Sequence, residues 1–431
     1  MKPGARIAAA IEVLDAILVK HQPASTALSD WGKAHRFAGS GDRSAIGNLV
    51  YDALRHKSSI AHRFSSDMPR ALALGAATTA LGLAPDAIAE VCDGSKHAPE
   101  PLTQNERDAL DGKTPKATSD DIAADIPTWL LPAFRKVFAG RPIAEGKAMA
   151  ERAPIDLRVN TIRATREQVL AELSHTGAVA GTWAPNAIRI PAPKETARAP
   201  NVEAEGAHGR GWFEIQDEGS QIAAAFAQAK PSERILDLCA GAGGKTLALA
   251  ASMQNIGEIV AYDADKARLR PIFERITRAG TSIVNVLRAG DEATLANYGP
   301  SFHCVLVDAP CSGSGTWRRK PDAKWRLKAD SLGQRTSSQM RVLDTAARHV
   351  RPGGRLVYIT CSILPEENTG QIDAFLKRHQ DFQIVPWRDA WMAALPTPPP
   401  ERSADGRDDT LLLTPASHGT DGFFIASLRR A

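Results

Sequence analysis

The sequence predicts an α/β fold for the C-terminal half of the chain, preceded by a helical segment and a small α+β module. Three observations lead there. From about residue 212, short apolar runs (RILDLC, EIVAYD, SIVNVL, HCVLVD, GRLVYITC) alternate with helical stretches, the pattern of a parallel sheet covered on both faces. Near the N-terminus, Ile7, Ile11, Leu14 and Leu18, then Ile46, Leu49, Val50 and Leu54, recur at the three-to-four-residue spacing of amphipathic helices. Between these regions lie strand-like DLRVNT and AIRI and a helix opened by Thr165 with Gln168 three residues on, a capping-box spacing closed by Gly177.

Boundaries follow from composition. The polar, acidic stretch SKHAPEPLTQNERDALDGKTPKATSDD ends the helical region, which places a first domain at residues 1–125. TWLLPAFRKVF reads as a helix broken or begun at Pro132. The α+β module occupies residues 126–205, with PAPKETARAP as a connection, and the α/β domain residues 206–431. The Pro-rich LPTPPPERSADGRDD is a loop, and DGFFIASLRR is a last strand.

At 431 residues, with 43% hydrophobic and 24% charged residues, the chain has the composition of a soluble globular protein. No apolar run reaches the roughly 18 residues of a membrane span, and a cytoplasmic location is expected. Five cysteines without a C-x-x-C pair argue against a disulfide framework or a structural zinc, so no metal is expected. The net charge of +4 announces no nucleic-acid partner by itself. Its distribution is more informative, because residues 316–351 hold ten Lys or Arg against three Asp.

In an open α/β sheet, ligands bind beyond the carboxyl ends of the strands. The first strand is followed there by Asp237-Leu-Cys-Ala-Gly-Ala-Gly-Gly-Lys-Thr246. Its glycines admit close backbone approach, and the helix it opens offers free N–H groups. The loop misses the nucleoside-triphosphate pattern, because Cys239 stands five residues before Gly244, and it misses the dinucleotide pattern, because position 246 is Thr. Asp263, about twenty residues on, is placed as a ribose-binding acid. An adenosyl ligand without a pyrophosphate fits this combination.

The fourth and fifth strands are followed by Asp308-Ala-Pro-Cys-Ser-Gly-Ser-Gly315 and Thr360-Cys-Ser-Ile-Leu-Pro-Glu-Glu-Asn368. Either cysteine alone reads as a small buried apolar residue. Two in polar turns at neighbouring strand ends read as a nucleophile and an acid/base partner, and spacing does not say which attacks. Cys92, Cys239 and Cys304 read as structural thiols, with Cys239 lining the loop through its backbone.

These motifs resemble the RsmB/Nop/Sun family of RNA cytosine-5 methyltransferases, most specifically in DAPCSGSGTWRRKPD and TCSILPEEN. The resemblance implies a class I (Rossmann-like) methyltransferase domain with S-adenosyl-L-methionine as cofactor. Cysteine catalysis suits that reaction, because carbon 5 of cytosine attacks a methyl sulfonium only after a thiolate has added to carbon 6. By resemblance Cys361 is that nucleophile, Cys311 assists release, and Asp308 meets nitrogen 3. Cys239, Ala240, Gly241, Ala242, Gly243, Gly244, Lys245, Asp263, Asp291 and Asp308 are the implied cofactor contacts. The family loop usually has proline where this chain has Ala242.

APIDLRVNTIRATREQVL resembles the family's RNA-recognition module, and IQDEGSQIAA its entry to the catalytic domain. GSGDRSAIGNLVYDALR resembles a NusB-like helical RNA-binding domain. Structured RNA, ribosomal ahead of transfer RNA, is therefore the expected partner. Arg318, Arg319, Lys320 and Lys324, set between Trp317 and Trp325, read as phosphate contacts and stacking platforms for a flipped-out base. Two alternatives stand beside this reading: a DNA cytosine-5 methyltransferase, whose nucleophile is the Pro-Cys thiol, and a non-catalytic RNA-binding assembly factor.

Overall fold

The computed structural model describes residues 1–113, 118–193, 197 and 199–431, so parts of the polar stretch after residue 95 and of PAPKETARAP lie outside the described residues. The chain forms two compact units. Met1–Arg152, Pro193–Ala199 and Trp317–Leu327 make one, and Ala153–Ala192, Pro200–Thr316 and Lys328–Ala431 the other.

The first unit is helical. Helices α1 (Pro3–Leu18), α2 (Ser40–Arg55) and α3 (Pro69–Ala80) enclose its core. On α2 the predicted face is the buried one, Ile46, Leu49, Val50 and Leu54 all being inaccessible. On α1 the face is rotated: Ile7 and Leu14 are buried as predicted, but Val13 and Ile17 fill the core while Ile11 and Leu18 are only partly covered. The polar stretch is not simply a loop, since Thr103 and Glu106 form a reciprocal capping box that starts a helix at Gln104. Helix α4 (Leu131–Val137) carries Pro132 in its first turn, where a missing N–H costs nothing.

Residues 317–327 correct a sequence expectation. Trp317 is wholly buried and stacks on Phe134 of α4 at 6.2 Å and 8°. Trp325 donates its indole N–H to Leu54 O at 2.6 Å. Lys324 is buried too, its Nζ donating to Arg55 O at 3.1 Å, and burial pulls its pKa down to about 8. Trp317 and Lys324 are therefore packing residues of the helical unit rather than a stacking platform and a phosphate contact for RNA. The cause is the gain from burying an indole, which outweighs keeping it exposed for a partner. Replacing Trp317 with Ala is expected to lower the stability of this unit by roughly 3–5 kcal/mol, measured by chemical denaturation.

The second unit contains both sheets. Strands β1 (Ile155–Val159), β2 (Val179–Ala180), β3 (Ala187–Ile190) and β4 (Phe213–Ile215) form an antiparallel sheet in the order β2-β3-β1-β4. Helix α5 (Arg166–Glu172) packs beside it, and its Thr165/Gln168 capping box is formed as the spacing predicts. The larger sheet takes β5 (Arg234–Asp237), β6 (Glu258–Ala261), β7 (Val284–Val286), β8 (Phe302–Asp308), β9 (Val350–Thr360), β10 (Phe382–Val385), β11 (Leu411–Leu413) and β12 (Phe423–Arg430) in the order β10-β12-β9-β8-β5-β6-β7, with β11 on β12. Strands β5 to β9 are parallel, but β12 runs antiparallel to β9 and to its other neighbours β10 and β11, so the sheet is mixed rather than purely parallel. Strand β5 has β6 on one side and β8 on the other. A crevice therefore opens past the carboxyl ends of β5 and β8, the point at which open α/β sheets bind ligands.

Candidate active site

Three turns meet at this edge. The first leaves β5 and enters helix α6 (Gly244–Ser252). Gly241 and Gly243 have φ of +49° and +82°, a region that side-chain-bearing residues avoid. A Cβ on Gly243 would lie 2.5 Å from Ile272, whereas one on Gly241 would meet nothing closer than 3.6 Å. Space is thus open on the Gly241 side of the loop, where a ligand can approach the backbone.

Two carboxylates flank that space. Asp263, at the end of β6, accepts from the Gly241 N–H at 3.0 Å and is buried. Asp237 is wholly buried and accepts from Thr246 Oγ1 at 2.7 Å, while its Oδ1 is buried without a hydrogen-bond partner. Burial drives its pKa up to about 7. An orphaned carboxylate oxygen beside an open glycine loop suits a cationic, hydroxyl-bearing ligand, so the residues present fit an adenosyl sulfonium. Two guanidinium groups brace the same loop from behind: Arg158 of β1 donates to Gly244 O at 2.7 Å, and Arg275, held by Glu214 of β4, donates to Ala242 O at 2.8 Å.

Lys245 leaves the loop towards the second turn, where its Nζ lies 2.6 Å from Asp308 Oδ2 at the end of β8. The third turn follows β9. Parallel pairing of β8 and β9 aligns Asp308 with Ile359 and brings Cys311 Sγ to 3.4 Å from Cys361 Sγ. The hydrogen bond to Cys361, then burial, raises the Cys311 pKa well above that of a free thiol. At that distance the two thiols can share a proton, and either sulfur can be the donor. Cys92, Cys239 and Cys304 are all held protonated, chiefly by burial, Cys304 with its pKa pushed up to about 12.

Asp291 stands apart from this cluster in its contacts. It is the N-cap of the short helix Glu292–Ala296, accepting from the Thr294 N–H at 3.0 Å and from Thr294 Oγ1 at 2.8 Å. Several site residues escaped sequence reasoning. Glu367, Ser312, Ser362 and Gln339 form a polar network behind the two cysteines. Gly315 touches Gly422 so closely that a Cβ on it would sit 2.2 Å from Gly422 O. The signal for Glu367 in the sequence was its place in the TCSILPEEN motif, which assigned it no role.

A parallel sheet with its switch point at β5, an open glycine loop between two carboxylates, and a cysteine pair at the adjoining strand ends define a class I, S-adenosylmethionine-dependent methyltransferase. The comparisons with known proteins are more specific. The chain belongs to the RsmB/F family of 16S rRNA methyltransferases. The family's methyltransferase model matches residues 224–429, and the RsmF/B-like ferredoxin-like domain matches residues 126–197. Ribosomal RNA small subunit methyltransferase B of Shewanella oneidensis is 34% identical over 317 residues, 73% of this chain and 69% of that protein. Its counterpart in Sodalis glossinidius is 36% identical over 295 residues, 67% of this chain and 66% of that protein, so the chain spans about two thirds of that relative's length. Among solved structures, PH0851 is similar over 100% of this chain and 99% of its own, with 27% identity and a TM-score of 0.74. A methyltransferase homologue from Pyrococcus horikoshii covers 72% of this chain and 98% of its own, with 28% identity and a TM-score of 0.59.

The raised Asp237 pKa has a consequence for stability. The folded protein holds this proton more tightly than the unfolded chain does, so the group's contribution is full below about pH 4 and is lost as pH rises through about 7. Asp237→Asn keeps an acceptor for Thr246. Denaturation across pH 4 to 8 should show the variant losing less stability than wild type over that interval.

Proposed function

We propose that this protein methylates carbon 5 of a cytosine in structured RNA, most specifically ribosomal RNA, through a covalent adduct to Cys361. One observation carries the reading that the two thiols act together: the 3.4 Å Cys311–Cys361 contact at the ends of β8 and β9. The Thr-Cys-Ser resemblance assigns the attack to Cys361 rather than to the Pro-Cys thiol. Residues 239–245, Asp263 and Asp291 would hold S-adenosylmethionine, which would supply the methyl group when bound.

Cys361 adds to carbon 6, and the ring electrons it releases make carbon 5 nucleophilic. Asp308, hydrogen-bonded to Lys245, meets the charge that develops at nitrogen 3. Bonding of Cys361 to carbon takes away the thiol partner whose hydrogen bond is the first cause of the raised Cys311 pKa. Cys311 can then release its own proton to solvent and take the one from carbon 5, while the carbon–sulfur bond breaks and Cys361 leaves with the bonding pair as a thiolate. The base must leave its stack to admit this chemistry. Among the described residues no helix is long and apolar enough to cross a membrane.

Cys311→Ala should accumulate a covalent protein–RNA adduct visible by denaturing electrophoresis, and Cys361→Ala should form none. An adduct that persists without Cys361 would exchange the roles. Methyl transfer to DNA in place of RNA would favour a DNA enzyme, and RNA binding without transfer would favour an assembly factor.

A further inference from the structure

Both cysteines are followed by a serine, and both serines bond to one carboxylate. Glu367, wholly buried, accepts from the Ser312 N–H at 2.8 Å, Ser312 Oγ at 2.5 Å, Ser362 Oγ at 2.6 Å and Gln339 Nε2 at 3.1 Å. Four donors on two oxygens satisfy a buried carboxylate. The group is therefore a fixed post between the Pro-Cys and Thr-Cys-Ser turns. Nothing in the reaction described above uses it.

Its two sides are unequal. The Cys361 turn has ties that do not involve Glu367: Gly315 N to Cys361 O at 2.9 Å, Asn368 Nδ2 to Ser362 O at 2.8 Å, and Ser362 N to Thr360 Oγ1 at 3.2 Å. The Cys311 turn shares the Gly315 tie and has Arg335 on Cys311 O at 2.9 Å, Gln339 on Pro310 O at 3.0 Å and two weaker contacts of Ser312 Oγ, with Ser314 N and Ser362 Oγ, both at 3.3 Å; Gln339 is itself bonded to Glu367. Ser312, the residue next to the thiol, is held to Glu367 through both its backbone N–H and its hydroxyl. Without the carboxylate, the Cys311 turn loses more than the Cys361 turn.

We infer that Glu367 is a positioning residue that holds Cys311 at the distance from Cys361 required for release of the methylated base. The inference rests on the covalent reading of the two thiols. Its signature is a release defect: without Glu367, addition through Cys361 continues, but Cys311 is displaced from carbon 5. A displacement of about 1 Å is enough to slow a positioned step roughly 100-fold. Because serine hydroxyls can donate or accept, a glutamine at 367 can keep its oxygen on Ser312 N–H and Gln339 while its amide donates to the two hydroxyls.

The test compares full-length wild type, Glu367→Ala, Glu367→Gln, Ser312→Ala and Cys311→Ala with a ribosomal RNA transcript and S-adenosylmethionine, following turnover, trapped protein–RNA adduct and cofactor affinity. Glu367→Ala should turn over roughly 10- to 100-fold more slowly, accumulate adduct as Cys311→Ala does, and bind the cofactor as wild type does. Glu367→Gln should recover most of the turnover. Ser312→Ala, which removes one hydroxyl and spares the buried carboxylate, should show the same adduct to a smaller extent and stands in if Glu367→Ala does not fold. Slow turnover without adduct in Glu367→Ala, or in Ser312→Ala where it stands in, overturns the inference, as does a glutamine variant as impaired as alanine. If Cys311→Ala itself accumulates no adduct, the covalent reading fails and the inference falls with it. Adduct in Cys311→Ala but in neither Glu367→Ala nor Ser312→Ala defeats the inference alone.

Discussion

Parallel pairing of β8 with β9 is the constraint on which the site depends. Parallel strands end on the same side of a sheet, so whatever follows them is forced into one crevice. Here the turn after Asp308 and the turn after Thr360 emerge side by side, and two thiols fifty residues apart in the chain come within 3.4 Å. Strand β5 on the other side of β8 adds the glycine loop, and Lys245 bridges it to Asp308. An insertion in either strand that shifted the pairing would separate the thiols, however well each turn kept its own shape.

Alignment alone leaves two irregular turns at a wet edge, and the molecule holds them with buried polar groups. Glu367, Ser312, Ser314, Ser362, Thr360 and Asn368 form a connected set behind the cysteines. Gly315 and Gly422 let backbone pack on backbone, with Gly422 N donating to Gly315 O at 2.8 Å. A satisfied buried network of this kind admits few alternative arrangements, which is what holding two thiols at a fixed separation requires. The glycine loop is braced by the same means, through Arg158 and the Glu214–Arg275 pair. In this chain, with Ala242 where relatives of the family usually carry proline, those carbonyl contacts restrict the loop directly.

Much of this was legible in the sequence. The alternation of apolar runs located β5 to β9, the Thr165/Gln168 spacing located a helix start, and the strand-end rule brought Asp237, Asp263, Asp308, Cys311 and Cys361 together before any coordinates. What was misread shares a cause. Trp317, Trp325 and Lys324 have the composition of an RNA-binding surface, and the helical unit buries or half-buries them, because a residue type states what a side chain can do and not which side of the protein it faces. Helix α1 turned its face by a residue for the same reason, and the polar stretch near Gln104 held a helix whose packing no periodicity announced.

By itself the sequence determined the class of fold, the ligand edge of the sheet and the chemical groups that line it, because strand periodicity and glycine-rich turns are local properties of the backbone. Only the tertiary structure decided how those groups differ from one another. Why the Cys311 thiol is pushed up, why the Asp237 pKa is raised to about 7 and why Glu367 is wholly buried all follow from packing and from partners distant in the chain. Desolvation and hydrogen bonding set these properties, and neither exists until the chain is packed.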